Sequence, residues 1–174
     1  FAKLEYKDFK SDLFAMFIHR CLEAAVPGGF VGLMTPFVWM FIGSYLPIRK
    51  RLIQRETVTS LIQLEYSGFD GATVPICSYV VRRSHQGAPA AFVRLSDFIG
   101  SDVQGPKALE IIQADRNAKV ESVGASAGME RYMYRIDPGH FMKVPGYPFA
   151  YWLSDAMRNA FTAGKTLRTI AEPK

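Results

Sequence analysis

Apolar residues recur at helical spacing from Leu13 to Ala25, with Leu13, Phe14, Phe17, Ile18, Cys21, Leu22 and Ala25 on one face and His19, Arg20 and Glu23 on the other. Ser11 or Asp12 supplies a natural N-cap. Pro27, Gly28 and Gly29 end the helix, because proline cannot continue it and glycine tolerates the left-handed cap conformation. Phe30 to Met34 follows with neither charge nor polar alternation, the pattern of a strand buried on both faces as in parallel sheets. This helix-to-strand unit predicts half of a doubly wound α/β sheet, in which ligands meet the carboxyl ends of strands. Here that end is Met34-Thr35-Pro36.

The pattern predicts a second helix from about Ser44 to Arg55, with Tyr45, Ile48 and Leu52 inward and Arg49, Lys50, Arg51 and Arg55 largely outward. Thr57 to Tyr66 and Val74 to Val81 have strand character and form an antiparallel hairpin, joined by a loop of about seven residues that is longer than a tight hairpin needs. A short strand at Ala91 to Leu95 follows. Beyond Ser96 come a helix over Lys107 to Asp115, a Ser/Gly/Ala-rich loop from Ser122 to Gly128, a strand at Arg131 to Ile136 and a turn at Asp137-Pro138-Gly139-His140. An extended aromatic stretch, Val144 to Trp152, leads into a helix from Ser154 to Ala163 that closes at Gly164.

Composition adds bounds. With 49% hydrophobic and 21% charged residues the chain is globular, not disordered. A net charge of +5 is a mild bias towards acidic partners such as nucleic acid. Cys21 and Cys77 each lie in an apolar run and do not make a disulfide framework, which fits a reducing, cytoplasmic setting. Residues 24 to 48 carry no charge and are long enough to span a bilayer, but Pro27, Gly28, Gly29, Pro36, Gly43 and Pro47 divide them into helix, strand, loop and helix. No membrane partner is expected.

No phosphate-binding glycine loop, nucleophile elbow or Cys/His metal pair occurs, so neither catalytic nor metal-ligating residues are assigned. The histidines His19, His85 and His140 fall on a helix face, in a linker and in a turn. Asp12 is a helix cap or a ligand contact. Phe69, in a glycine-flanked loop at the sheet edge, is a core residue or a ring that stacks on a planar ligand. The Arg49, Lys50, Arg51 and Arg55 group meets DNA phosphates or forms a solvated face.

Ser11-Asp12-Leu13-Phe14-Ala15-Met16-Phe17, Pro27-Gly28-Gly29 and Gly32-Leu33-Met34-Thr35-Pro36 resemble the stretch that follows the catalytic Asn-Pro-Pro-Tyr motif in adenine-N6 DNA methyltransferases. The resemblance is closest to the PglX-type methyltransferases of BREX phage-defence systems and the related type II restriction enzyme-methylases. Trp39-Met40-Phe41, the Arg49 to Leu52 helix and Gly68-Phe69-Asp70 fit the same pattern. So does the distal block Ile136-Asp137, Phe141, Val144-Pro145-Gly146 and Ala150 to Ser154, which resembles the entry to a target-recognition region.

The resemblance implies a Rossmann-like, S-adenosylmethionine-dependent fold in which adenine is flipped out of duplex DNA, since its N6 is otherwise paired and stacked. Residues 1 to 95 would be the C-terminal half of the catalytic sheet with its terminal antiparallel hairpin, and residues 96 to 174 a linker and the opening of the target-recognition region. Phe69 matches the aromatic that packs on the flipped base, Asp12 the start of the helix after the catalytic strand, and Thr35 and Pro36 the pocket wall. Double-stranded DNA and other phage-defence proteins are the implied partners. Neither the cofactor motif nor Asn-Pro-Pro-Tyr occurs here, and both are expected upstream of Phe1 in a parent protein. The rivals are a non-catalytic DNA- or protein-binding module that uses the basic helix and the Tyr147 to Trp152 aromatics, and a scaffold piece with apolar cut faces. Calorimetric titration of this chain with S-adenosylmethionine is expected to give no micromolar binding, and a micromolar isotherm would refute the assignment of its motifs.

Overall fold

The computed structural model describes residues 5–7, 9–66, 74–120 and 132–164. Helix α1 spans Leu13–Ala24 and starts at Asp12, whose carboxylate accepts from the Leu13 backbone N–H at 2.6 Å. Strand β1 is Phe30–Pro36, and two short 3₁₀ turns, Phe37–Met40 and Gly43–Tyr45, lead into α2, Leu46–Gln54. Strands β2, Thr57–Gln63, and β3, Ile76–Arg82, form the expected antiparallel hairpin, and β4 is Ala90–Arg94. Helix α3, Ser101–Val120, β5, Met133–Ile136, a 3₁₀ helix over Pro138–Lys143 and α4, Asp155–Ala163, complete the order.

The strands make one mixed sheet in the order β1-β3-β2-β4-β5. Strand β3 lies between β1 and β2 and is antiparallel to both, so β1 and β2 point the same way. Because β4 is parallel to β2, the carboxyl ends of β1, β2 and β4 all emerge on one side. Among the described residues parallel hydrogen bonding is confined to the β2–β4 pair, because β3 of the expected antiparallel hairpin stands between the like-directed β1 and β2.

One face of the sheet carries the main core. Val31, Leu33, Cys77, Tyr79, Val81, Val58, Leu61 and Phe92 meet Ala15, Ile18 and Leu22 of α1 and Ile48 and Leu52 of α2. The distal residues Phe141, Phe149 and Tyr151 join the same core, with Trp39 in edge contact with Phe149 at 5.0 Å and Tyr151 stacked on Phe92 at 4.7 Å. Buried rings supply large apolar area at low entropic cost, which is why this short irregular block is held firmly. On the opposite face α3 packs Ile111 against Val93 and Leu95.

Three expectations fail for physical reasons. Strand β1 is not buried on both faces: Phe30 is 64% and Met34 55% exposed, because no described residue covers the outward side of β1. Leu13 and Phe17 also face outward, since Ala15, Ile18 and Leu22 take the buried stripe of α1. The helix expected over Lys107 to Asp115 is longer at both ends. Its first turn is anchored by buried Gln104, whose amide oxygen accepts from the Glu65 backbone N–H at 3.0 Å.

Arg49 is the largest departure. It is 1% exposed, donating from Nε to the Gly146 carbonyl at 2.9 Å and from Nη1 to the carbonyls of Trp39 at 2.6 Å and Ile42 at 2.7 Å. Burial lowers its pKa. Arg49→Ala would strand three acceptors and is expected to cost about 3 kcal/mol in urea unfolding. Arg49→Lys should recover only part of this, since one ammonium lacks the planar fork. A loss below about 1 kcal/mol would mean that solvent or neighbouring groups replace those bonds.

Candidate functional site

The carboxyl ends of β1, β2 and β4 bring a defined set of residues together. Across the core face the register sets Thr35 beside Cys77, Cys77 beside Gln63, and Gln63 beside Arg94. The Phe37 backbone N–H donates to the Pro75 carbonyl at 2.9 Å, which ties the exit of β1 to the entry of β3. Gln63 accepts from the Tyr151 hydroxyl at 2.7 Å, which locks the distal block onto the same row.

Thr35 and Pro36 stand at this edge, as expected, but Thr35 is buried and its hydroxyl donates to the Pro36 carbonyl at 3.2 Å. Phe69 lies outside the described residues. Asp12 sits at the start of α1, near Tyr45, whose pKa is raised by burial and then by the Asp12 charge. Asp12 is thus a cap beside the segment that leaves β1.

The basic group divides. Arg49 is sealed inside, so it is withdrawn from any contact with DNA phosphates. Arg51 reaches Glu23 at 2.7 Å, Glu56 at 3.1 Å and His19 Nδ1 at 2.6 Å, which consumes much of its charge. That guanidinium holds the Glu23 carboxyl below the usual carboxylate range. Lys50 and Arg55 remain exposed and line, with Phe9 and His19, an open cleft of about 500 Å³ between α1 and α2. Arg55 precedes the amino end of β2 by two residues, so it lies at the opposite end of the strands from Pro36, on the order of 20 Å away at ~3.3 Å per residue. The structure therefore does not bring the basic cluster to the strand ends.

Four residues at this edge were not singled out as site residues from sequence: Phe37, Phe41, Tyr66 and Arg94. Phe37 and Phe41 carried a signal, an aromatic pair four apart directly after Thr-Pro. Arg94 carried none, because a lone arginine ending a strand looks like any solvated charge.

The implied cofactor finds no fit in these residues. The Pro27-Gly28-Gly29 turn lies at the amino end of β1, and the Gly28 N–H is spent on the Arg83 carbonyl at 2.8 Å. Glu56 is taken by Arg51 and Asp12 by its cap. Among the described residues no group of three His, Cys, Asp or Glu side chains is placed to hold a metal ion, and no helix is long and apolar enough to cross a membrane.

The fold has known counterparts. A methyltransferase subunit of a type I restriction-modification system from Streptococcus thermophilus superposes on 86% of this chain and 33% of its own, with a TM-score of 0.57 at 16% identity. A modification subunit of a type I restriction enzyme from Vibrio vulnificus matches 78% of this chain and 30% of its own, with a TM-score of 0.51 at 13% identity. The chain thus has a fold found in restriction-modification methyltransferases.

Sequence comparison narrows the class. Residues 2–69 match the Eco57I restriction-modification methylase family. The chain is 30% identical over 153 residues to the adenine-specific methyltransferase PglX of Lacticaseibacillus casei, and 29% identical over 175 residues to the adenine-specific methyltransferase BrxX of Escherichia coli. These alignments cover 86% and 98% of this chain. The chain spans 12% and 13% of the lengths of those relatives. The resemblance to PglX-type adenine-specific methyltransferases is borne out.

Cys77, in the row between Thr35 and Gln63, has its thiol pushed up to about 12 by burial. Thiol labelling of the folded chain at about pH 8 is therefore expected to modify Cys21 and spare Cys77 until the chain is unfolded. Rapid labelling of both cysteines would contradict the closed strand-end row.

Proposed function

We propose that this chain is the C-terminal part of the catalytic domain of a DNA adenine-N6 methyltransferase, residues 1 to 95, followed by a linker and the beginning of the target-recognition region, residues 96 to 174. The parent enzyme transfers a methyl group from S-adenosylmethionine to an adenine flipped from double-stranded DNA, in a cytoplasmic phage-defence or restriction-modification system alongside other proteins of that system. The cofactor and the catalytic Asn-Pro-Pro-Tyr belong to other parts of the parent, so this chain alone is inactive. The observation that carries the reading is the common exit of β1, β2 and β4 on one side, in a chain with adenine-specific methyltransferases as relatives.

Pro36 and buried Thr35 form part of the wall on which the extruded base rests. Asp12 acts through its cap, keeping the start of α1 beside that wall. The segment carrying Phe69 joins the carboxyl end of β2 to the entry of β3, which supports Phe69 as the ring that packs on the base. Stacking suits that task because every base offers a flat face. A second reading, a DNA-binding module without catalysis, is favoured by one observation: Lys50 and Arg55 make no ion pair among the described residues and face an open cleft. In both readings these two side chains meet the DNA backbone.

Phe69→Ala in the parent enzyme is expected to slow methylation about tenfold at limiting DNA without lowering the melting temperature. An unchanged rate would remove Phe69 from the base site. Methylation by this chain alone would overturn the division of motifs.

A further inference from the structure

Arg94 is an unusual arginine. Its guanidinium lies 4.6 Å from the ring centre of Trp152, and it forms neither a hydrogen bond nor an ion pair among the described residues. Its Nε is buried without an acceptor. The other arginines that reach towards the interior spend their terminal nitrogens: Arg49 on carbonyls, Arg51 on carboxylates and Arg158, whose Nε is likewise buried without an acceptor, on the Leu153 carbonyl and Asp155. A partly buried cation with its donors unspent is costly, and Trp152 offsets only some of that cost.

From Arg94 a continuous row of rings runs across the strand ends. Trp152 meets Phe41 at 5.7 Å, Phe41 meets Phe37 at 6.2 Å, and Phe37 meets Tyr66 at 6.3 Å. Tyr66 is 57% and Phe41 36% exposed, so the row opens to solvent at these two rings, while Phe37 and Trp152 are half-buried against the main core and back them. Aromatic faces beside a guanidinium with free donors suit a flat base joined to a phosphate. A fully apolar partner would leave Arg94 unpaired, and an acidic peptide would leave the rings without a flat ligand.

We propose that exposed Tyr66 and Phe41, held by edge contacts to half-buried Phe37 and backed by Trp152, form with Arg94 a binding platform for an unpaired stretch of DNA strand, with bases stacked on the exposed ring faces and one phosphate held by Arg94. The ligand is not the flipped adenine but a base of the opened strand outside that pocket. The reading of the parent as a DNA-acting enzyme supplies the choice of DNA as the strand, while the platform rests on the geometry.

The test is an anisotropy titration of this chain with a labelled single-stranded oligodeoxynucleotide and with an abasic version of it. Loss of the bases is expected to weaken binding about tenfold. Tyr66→Ala should lose affinity for the normal strand severalfold and none for the abasic one, and its exposure makes it safe for folding. Arg94→Gln should flatten the slope of log affinity against log salt by about 0.7, the signature of one phosphate contact on single strands, and Arg94→Lys should restore that slope. Absence of single-strand binding, equal affinity for both oligonucleotides, or an unchanged slope in Arg94→Gln would each overturn the proposal. Methylation of duplex DNA by the parent enzyme is scored separately, so a parent that methylates while this chain ignores single strands defeats the platform and leaves the proposed function standing. The converse result defeats only the methyltransferase reading.

Discussion

A guanidinium sealed from water and bonded to backbone carbonyls of two distant segments is the constraint around which the chain is organised. Arg49 gathers the carbonyls of Trp39 and Ile42, in the segment that leaves β1, and that of Gly146, more than ninety residues further along. Removing a full charge from water is expensive unless several acceptors converge on it. The acceptors therefore have to be held, and the surrounding rings hold them. Trp39 is clamped between Tyr79 and Phe149, and Phe149 donates its backbone N–H to the Met40 carbonyl at 3.0 Å. The exit of β1 is thus rigid, and with it the edge on which Pro36, Phe37 and Phe41 stand.

The elements were largely legible because their signals are local. Helix α1, the Pro-Gly-Gly turn, β1, the hairpin, β4 and the Ser154-capped α4 all carry their periodicity and caps within a few residues. What escaped was the environment beyond each element. An apolar run such as Phe30 to Met34 reports that both faces of a strand suit burial, not that anything covers them. Along α1 the apolar stripe is wider than the buried one, and periodicity could not say that Ala15, Ile18 and Leu22 would be the residues turned inward.

The candidate site was legible in its place but not in its membership. The strand polarity that the Thr-Pro stop implied does put Thr35 and Pro36 at a shared edge with the ends of β2 and β4. Its neighbours come from far along the chain: Tyr66 after β2, Arg94 at the end of β4 and Trp152 beyond β5. No spacing rule links residues 37, 66, 94 and 152. They meet because β3 inserts between β1 and β2, and because the Tyr151 hydroxyl pins the distal block to Gln63.

Charge clustering in a sequence is a poor guide to where charge is available, and these arginines show why. Arg49, Lys50, Arg51 and Arg55 are crowded into seven consecutive positions, yet two of the four are consumed internally, one by carbonyls and one by carboxylates. What remains at that helix is a lysine and an arginine facing a cleft remote from the strand ends. Arg94 belongs to no cluster, and its donors are unspent at the edge where the rings converge. Whether a cation can serve a ligand is decided by its hydrogen-bond balance in the fold. A net charge of +5 measures only the sum of both kinds.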